Sequence, residues 1–157
     1  MERFTDIQRK VIQAYGIKIN EHSTCSGRMH AHVKTRTICK WKPKNSFKAT
    51  FDLLHEIGHI MTTTATMRRA EEEYYATVWA IDECRRQGLE VPFKVPDSVL
   101  FVYQRYIITE MARGMRRGGR GYDDLNLYKY IGQNVTLNDL YEICDDRWKA
   151  FIGEFHY

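Results

Sequence analysis

The stretch Phe51 to Met61, FDLLHEIGHIM, limits what this chain can fold into more than any other part of it. It holds His55 and His59 four residues apart, with Glu56 directly after the first. On an α-helix, positions i and i+4 share a face about one turn apart, so both imidazoles can reach one metal ion. Glu56 then falls beside the open coordination position of such an ion. A carboxylate there can take a proton from a bound water and later pass it to a leaving amine. This H-E-x-x-H spacing is the pattern of zinc peptidases. Its surroundings support a helix: Phe47, Phe51, Leu54, Ile57, Gly58 and Met61 recur with helical spacing, which predicts a helix packed into a core. Gly58 costs a helix interior roughly 1 kcal/mol. Close approach of another backbone, or of the metal site, would explain its presence. The plain alternative, two ordinary histidines on an amphipathic helix, does not account for that context.

At 157 residues the chain fits one domain, residues 1–157, long enough to bury a real core. Ten Tyr, seven Phe and three Trp argue against disorder. A net charge of +4 is too mild to mark a nucleic-acid binder. The first ten residues, MERFTDIQRK, lack the apolar run of a signal peptide, and no stretch is long and apolar enough to span a membrane. Cys25, Cys39, Cys84 and Cys144 are scattered without C-x-x-C spacing and read as reduced, mostly structural thiols. Together these features predict a cytoplasmic protein.

Phe4, Ile7, Val11, Ile12 and Tyr15 predict a first helix, closed by Gly16. Ile17-Lys18-Ile19 suggests a strand. Arg28 to Trp41 suggests two more, with a bend near Lys34-Thr35-Arg36. Ser46 is a good N-cap for the motif helix, which should end near Thr62. Ala70 to Gln87 reads as the next helix, closed by Gly88. After Pro92 and Pro96, a helix is expected from Asp97 to about Ala112. The run Arg113 to Gly121, RGMRRGGRG, reads as a basic loop. Tyr122 to Ile131 suggests a short helix, and Thr136-x-x-Asp139 a capping box opening a last helix through Trp148 and Phe151. The predicted fold is α+β: a small three-stranded sheet beside a mainly helical bundle that carries the H-E-x-x-H zinc helix.

Two histidines do not complete a catalytic zinc site, which needs a third protein ligand. Glu71, Glu72 and Glu73 are the candidates at the start of the following helix. Here a family resemblance becomes specific. HEIGH followed by Glu73-Tyr74-Tyr75-Ala76-Thr77-x-Trp79-Ala80 resembles the zinc peptidases of the ImmA/IrrE type, over about residues 45 to 92. The resemblance implies that Glu73 is the third zinc ligand and that Ala76 lets the two helices approach. It implies zinc as cofactor, and as substrate a specific intracellular protein, often a transcriptional regulator, in stress responses or mobile genetic elements. Glu71 and Glu72 are then a solvated acidic first turn favoured by the helix dipole. Thr77 stands where that family usually has Asn or Asp. Its hydroxyl can accept an N–H bond from a ligand histidine but carries no charge, which leaves the imidazole less basic.

A peptidase also needs a donor for the oxyanion of its tetrahedral intermediate. Tyr74, Tyr75, His22, His30 and His32 are all candidates by type. His30-x-His32 places both imidazoles on one side of a strand, as a second metal site would require. Exposed strand histidines are the plainer reading. A strand near the cleft could also hold an extended peptide by backbone pairing. The expected function is therefore a zinc-dependent endopeptidase in which His55, His59 and Glu73 bind Zn2+ and Glu56 is the general base. The alternative is a non-catalytic, zinc-containing phage or mobile-element protein that binds and inhibits a host factor. A protein substrate or target is the expected partner. Neither a nucleic acid nor a membrane is expected.

Overall fold

The computed structural model describes residues 2–21 and 27–91, with helical positions at Val102, Tyr103, Tyr106, Ile107, Thr109 and Glu110. The elements run α1 (Phe4–Ala14), β1 (Lys18–Asn20), β2 (His30–His32), β3 (Thr37–Cys39), α2 (Phe47–Thr62) and α3 (Arg69–Arg86). The fold is α+β, with a small mixed sheet beside helices. The strand order is β1-β3-β2, with β1 parallel and β2 antiparallel to the central β3. The bend expected near Lys34 to Arg36 is the β2–β3 turn. Arg36 takes a left-handed φ of 52° there, and its guanidinium donates to Tyr15 O.

The core forms where α1, the sheet and the inner faces of α2 and α3 meet. Ile7 and Val11 of α1 and Ile38 of β3 lie against Phe51, Leu53, Leu54 and Ile57 of α2, and Ala80 and Ile81 of α3 complete the cluster. α2 starts where expected: the Ser46 hydroxyl accepts the Ala49 N–H at 3.2 Å. At the end of α3, Gly88 takes a φ of +73° and Leu89 N–H returns to Cys84 O at 2.8 Å, a glycine-closed terminus.

Two polar devices sit inside this apolar frame. Gln8 of α1 is fully buried. Its amide donates to Lys44 O at 2.8 Å and to the Thr50 hydroxyl at 2.9 Å, and its carbonyl accepts Trp41 Nε1–H at 3.3 Å. A buried amide satisfied in this way fixes the entry into α2 without leaving an unpaired group. On the other side, the Tyr15 hydroxyl donates to Glu83 Oε2 at 2.6 Å and Arg86 Nε donates to the same oxygen at 2.7 Å. Burial pushes the Glu83 carboxyl up, but these bonds and one from Gln87 outweigh it and hold it below the usual carboxylate range.

The reading of reduced cysteines fails at Cys39, which is disulfide-bonded. Spacing along the chain carries no information about which sulfurs a sheet brings together. Cys84 is free and buried, and burial pushes its thiol up to about 12. Among the described residues, no helix is long and apolar enough to cross a membrane. The helix expected from Asp97 to Ala112 is described only at the six positions named above. The Arg113–Gly121 run, the Tyr122–Ile131 helix and the Thr136–Asp139 capping box lie outside the described residues.

Gly58 is the point of closest contact between α2 and α3. A Cβ built there would lie 2.5 Å from Ala76 O and 2.9 Å from Ala76 Cα, both backbone atoms that cannot swing aside. On an exposed helix, Gly→Ala would stabilise by roughly 1 kcal/mol. Here the sign should reverse: Gly58→Ala is expected to destabilise by roughly 1–3 kcal/mol, the usual cost of overpacking. Chemical denaturation of the two proteins measures it, and a more stable Gly58→Ala protein would contradict the close approach.

Candidate metal centre

The α2–α3 contact brings His55, His59 and Glu73 together, all three buried. Their ligand-type atoms lie within 4.8 Å of one another. His55 Nε2 is 3.0 Å from Glu73 Oε2, and His59 Nε2 is 3.4 Å from Glu73 Oε1. The two imidazoles meet edge to face with centroids 4.7 Å apart. Donors held tetrahedrally at zinc bond lengths sit roughly 3.3 Å from each other, so these spacings suit such an ion. The three residues form a candidate metal site of nitrogen and oxygen donors.

The hydrogen bonds around the site decide which nitrogen faces the donors. The Thr77 hydroxyl donates its single proton to Glu73 O at 2.7 Å, so its oxygen must accept at its other contact, His55 Nδ1, 3.2 Å away. Nδ1 therefore carries the proton, and Nε2 presents a lone pair toward a carboxylate oxygen. A contact of 3.0 Å there needs a cation between nitrogen and oxygen: a proton, carried by the ring or by the carboxyl, or a metal ion. Burial, the largest influence, lowers the His55 pKa, with the Glu73 hydrogen bond pulling the other way. The donor types and their spacing suit a metal ion in that position. For Glu73, burial alone would raise the pKa, but the two imidazoles that face it outweigh burial and hold the carboxyl well below its usual range. Arg69, one turn earlier on α3, reaches Glu73 Oε1 at 2.8 Å and steadies that carboxylate from the solvent side.

Neither Glu71 nor Glu72 joins the donor group, although Glu72 lines the rim of the same cleft. Glu71 Oε1 accepts the Arg68 N–H at the start of α3, and Glu72 pairs with Arg69 at 3.3 Å. Both serve the helix terminus.

Glu56 lies beside the donors without joining them. Its Oε2 accepts the Ala31 N–H of β2 at 3.0 Å, so the outer edge of the sheet is tied to α2. Burial is the main cause that raises its pKa to about 6, opposed by the charge of His59 and helped by that of Glu73. His55, Glu56, His59 and Glu73 all line a cleft of about 740 Å³ that also runs along Met29 to Ala31. Of the proposed oxyanion donors, His30 lines this cleft, while His32, Tyr74 and Tyr75 do not. His22 lies outside the described residues.

Tyr103 and Asp52 were not singled out by the sequence reading. The Tyr103 ring lies over His55 with centroids 4.2 Å apart, and its hydroxyl donates to Asp52 Oδ1 at 2.8 Å. Burial and the Asp52 carboxylate raise the Tyr103 pKa, so the phenol stays protonated. The only sequence signal was the helical spacing of Tyr103, Tyr106 and Ile107, which also fits an ordinary apolar face. Asp52, one turn before His55 on α2, was visible only as a polar break in that face.

Comparison with family models, with curated proteins and with solved structures finds no match to this chain. The site therefore stands on its own geometry.

Removing the Thr77 acceptor should loosen the site without emptying it. Thr77→Val is expected to weaken metal binding roughly 10–100-fold, the usual effect of losing a histidine's outer partner. Glu71→Ala and Glu72→Ala should leave affinity unchanged, as competition against a chelator would measure. Metal loss in either glutamate variant, with Glu73→Ala still loaded, would overturn the assignment of the third ligand.

Proposed function

We propose that this chain is a zinc-dependent endopeptidase of the ImmA/IrrE type, acting in the cytoplasm on a specific protein, with a transcriptional regulator the implied substrate class. The observation that carries the reading is the convergence of three buried donors with an independent carboxylate, Glu56, in one open cleft. A structural staple has no need of that fourth group.

The donor set suits zinc: two imidazoles and one carboxylate match its borderline preference and leave an open position, as in other hydrolytic sites. A bound zinc supplies Lewis acidity, which makes water nucleophilic near neutral pH and polarises a carbonyl. The protein's own residues do the rest. His55, His59 and Glu73 hold the site, and Thr77 keeps His55 in the tautomer that presents Nε2. Glu56 takes the proton of the attacking water and delivers it to the leaving amine. Its pKa of about 6 lies close to neutral pH, where a group can serve in both directions. Ala31 N–H holds this carboxylate against β2, so the base is positioned by the sheet as well as by its own helix. Tyr103 covers the open face of His55 and limits water there.

Glu56→Gln keeps the shape of the side chain and removes its basicity. The variant should fold, carry about one zinc per chain and lose at least the 10²- to 10⁴-fold in proteolysis typical of a missing general base. Metal analysis with a cleavage assay on the cognate protein would show it. Undiminished biological activity in a zinc-loaded Glu56→Gln protein would end the peptidase reading and support a chain that acts by docking alone.

A further inference from the structure

We propose that the β2–β3 hairpin carries a second metal site, formed by His30, His32 and Cys39, which opens to a zinc-class divalent cation when the Cys39 disulfide is reduced. The inference does not depend on the His55–His59–Glu73 site or on its chemistry.

The antiparallel register places His30 directly opposite Cys39, and His32 two residues further along β2. Facing residues on paired strands, and residues two apart on one strand, lie on the same side of a sheet. All three side chains therefore share one face. Their donor atoms lie within 4.8 Å of one another, and the two imidazole rings meet edge to face with centroids 5.0 Å apart. His30 Nδ1 lies 2.7 Å from Arg28 O, an acceptor only, so Nδ1 carries the proton and Nε2 keeps its lone pair. This is the outer contact that metal-binding histidines commonly make.

Two imidazoles and a thiolate are a soft-to-borderline donor set, suited to zinc or cobalt and poorly suited to calcium or magnesium. Cys39 is fully buried and forms the inner end of the group, while His32 is exposed and forms its mouth. In the oxidised protein the Cys39 sulfur is bonded to sulfur and cannot serve as a thiolate. A cellular dithiol can change that: two electrons pass to the disulfide, the S–S bond breaks, and the dithiol closes to its own disulfide. The Cys39 thiol then loses its proton on meeting the metal. A reducing compartment would favour the metal-binding form and an oxidising one the disulfide. His30 also lines the large cleft, so the metal-bound and disulfide forms would present different walls to whatever enters it.

Cobalt(II) is the probe, because thiolate-to-cobalt charge transfer absorbs in the near ultraviolet and the His55–His59–Glu73 donors contain no sulfur. Metal-free full-length protein is reduced with a dithiol, desalted under anaerobic conditions and titrated beside the oxidised protein. The reduced protein should develop the band, the oxidised protein should not, and the band should persist in His55→Ala and Cys84→Ser. His32→Ala, at an exposed position, should abolish it while folding normally, and His30→Ala and Cys39→Ser should do the same. Absence of the band in reduced protein would overturn the proposal, as would its survival in both histidine variants. If Cys39→Ser does not fold, the two histidine variants decide the matter alone.

Discussion

Because Gly58 has no side chain, the backbone of α3 at Ala76 lies where a Cβ would otherwise be, 2.5 Å from Ala76 O. That approach sets the distance between the helices for a full turn on either side. Glu73 is one turn before Thr77 on α3, and His55 one turn before His59 on α2. With Ala76 seated on Gly58, Glu73 falls between the two imidazoles and Thr77 beneath His55. Moving the helices apart by one methyl group would open the whole constellation. The apolar core on the far side of the same helices, Phe51, Leu54 and Ile57 against Ile7, Val11 and Ile38, opposes such a shift, since interiors packed at this density do not stretch.

A buried carboxylate between two buried imidazoles is costly unless a charge compensates it. Three contacts bear on that cost. Arg69 reaches Glu73 from the rim, Thr77 fixes which nitrogen of His55 faces inward, and both imidazoles lie against the carboxylate oxygens. Among the described residues, the buried side-chain oxygen without a hydrogen-bond partner is Thr63 Oγ1, just beyond the C-terminus of α2.

The parts of this fold legible in the sequence were those written in local periodicity. The Ser46 cap, the span of α2, the glycine closing α3 and the bend between β2 and β3 are each set by residues within one or two turns of the event. The metal set was legible because its spacing is also local: i, i+4 on one helix and a short run of glutamates on the next. The run alone left three candidates. The choice of Glu73 came from a family resemblance, and the geometry separates it from Glu71 and Glu72 through the roles those two take at the helix start. Contacts that join distant parts were not legible. Gln8 against Lys44 and Thr50, Tyr15 against Glu83, and Tyr103 against Asp52 all involve side chains whose types also suit a surface. Cys39 belongs to the same class, since a disulfide depends on which strands become neighbours.

The three-stranded sheet is too small to be a core in its own right, and its place in the structure is better explained by its edge. β2 is an outer strand with one side paired to β3. An unpaired edge exposes amides that would otherwise seek another strand. Here the Ala31 amide is taken by Glu56, so the carboxylate caps the edge and the edge restrains the carboxylate. Glu56 sits at the junction of helix and sheet, largely withdrawn from water, and that burial is the main reason its pKa rises to about 6. The Ala31 N–H restrains this carboxylate and by itself pulls its pKa down, while burial at the junction pulls it up and prevails. The helix pair thus gathers the three candidate metal donors, and the sheet restrains the neighbouring carboxylate that is not among them.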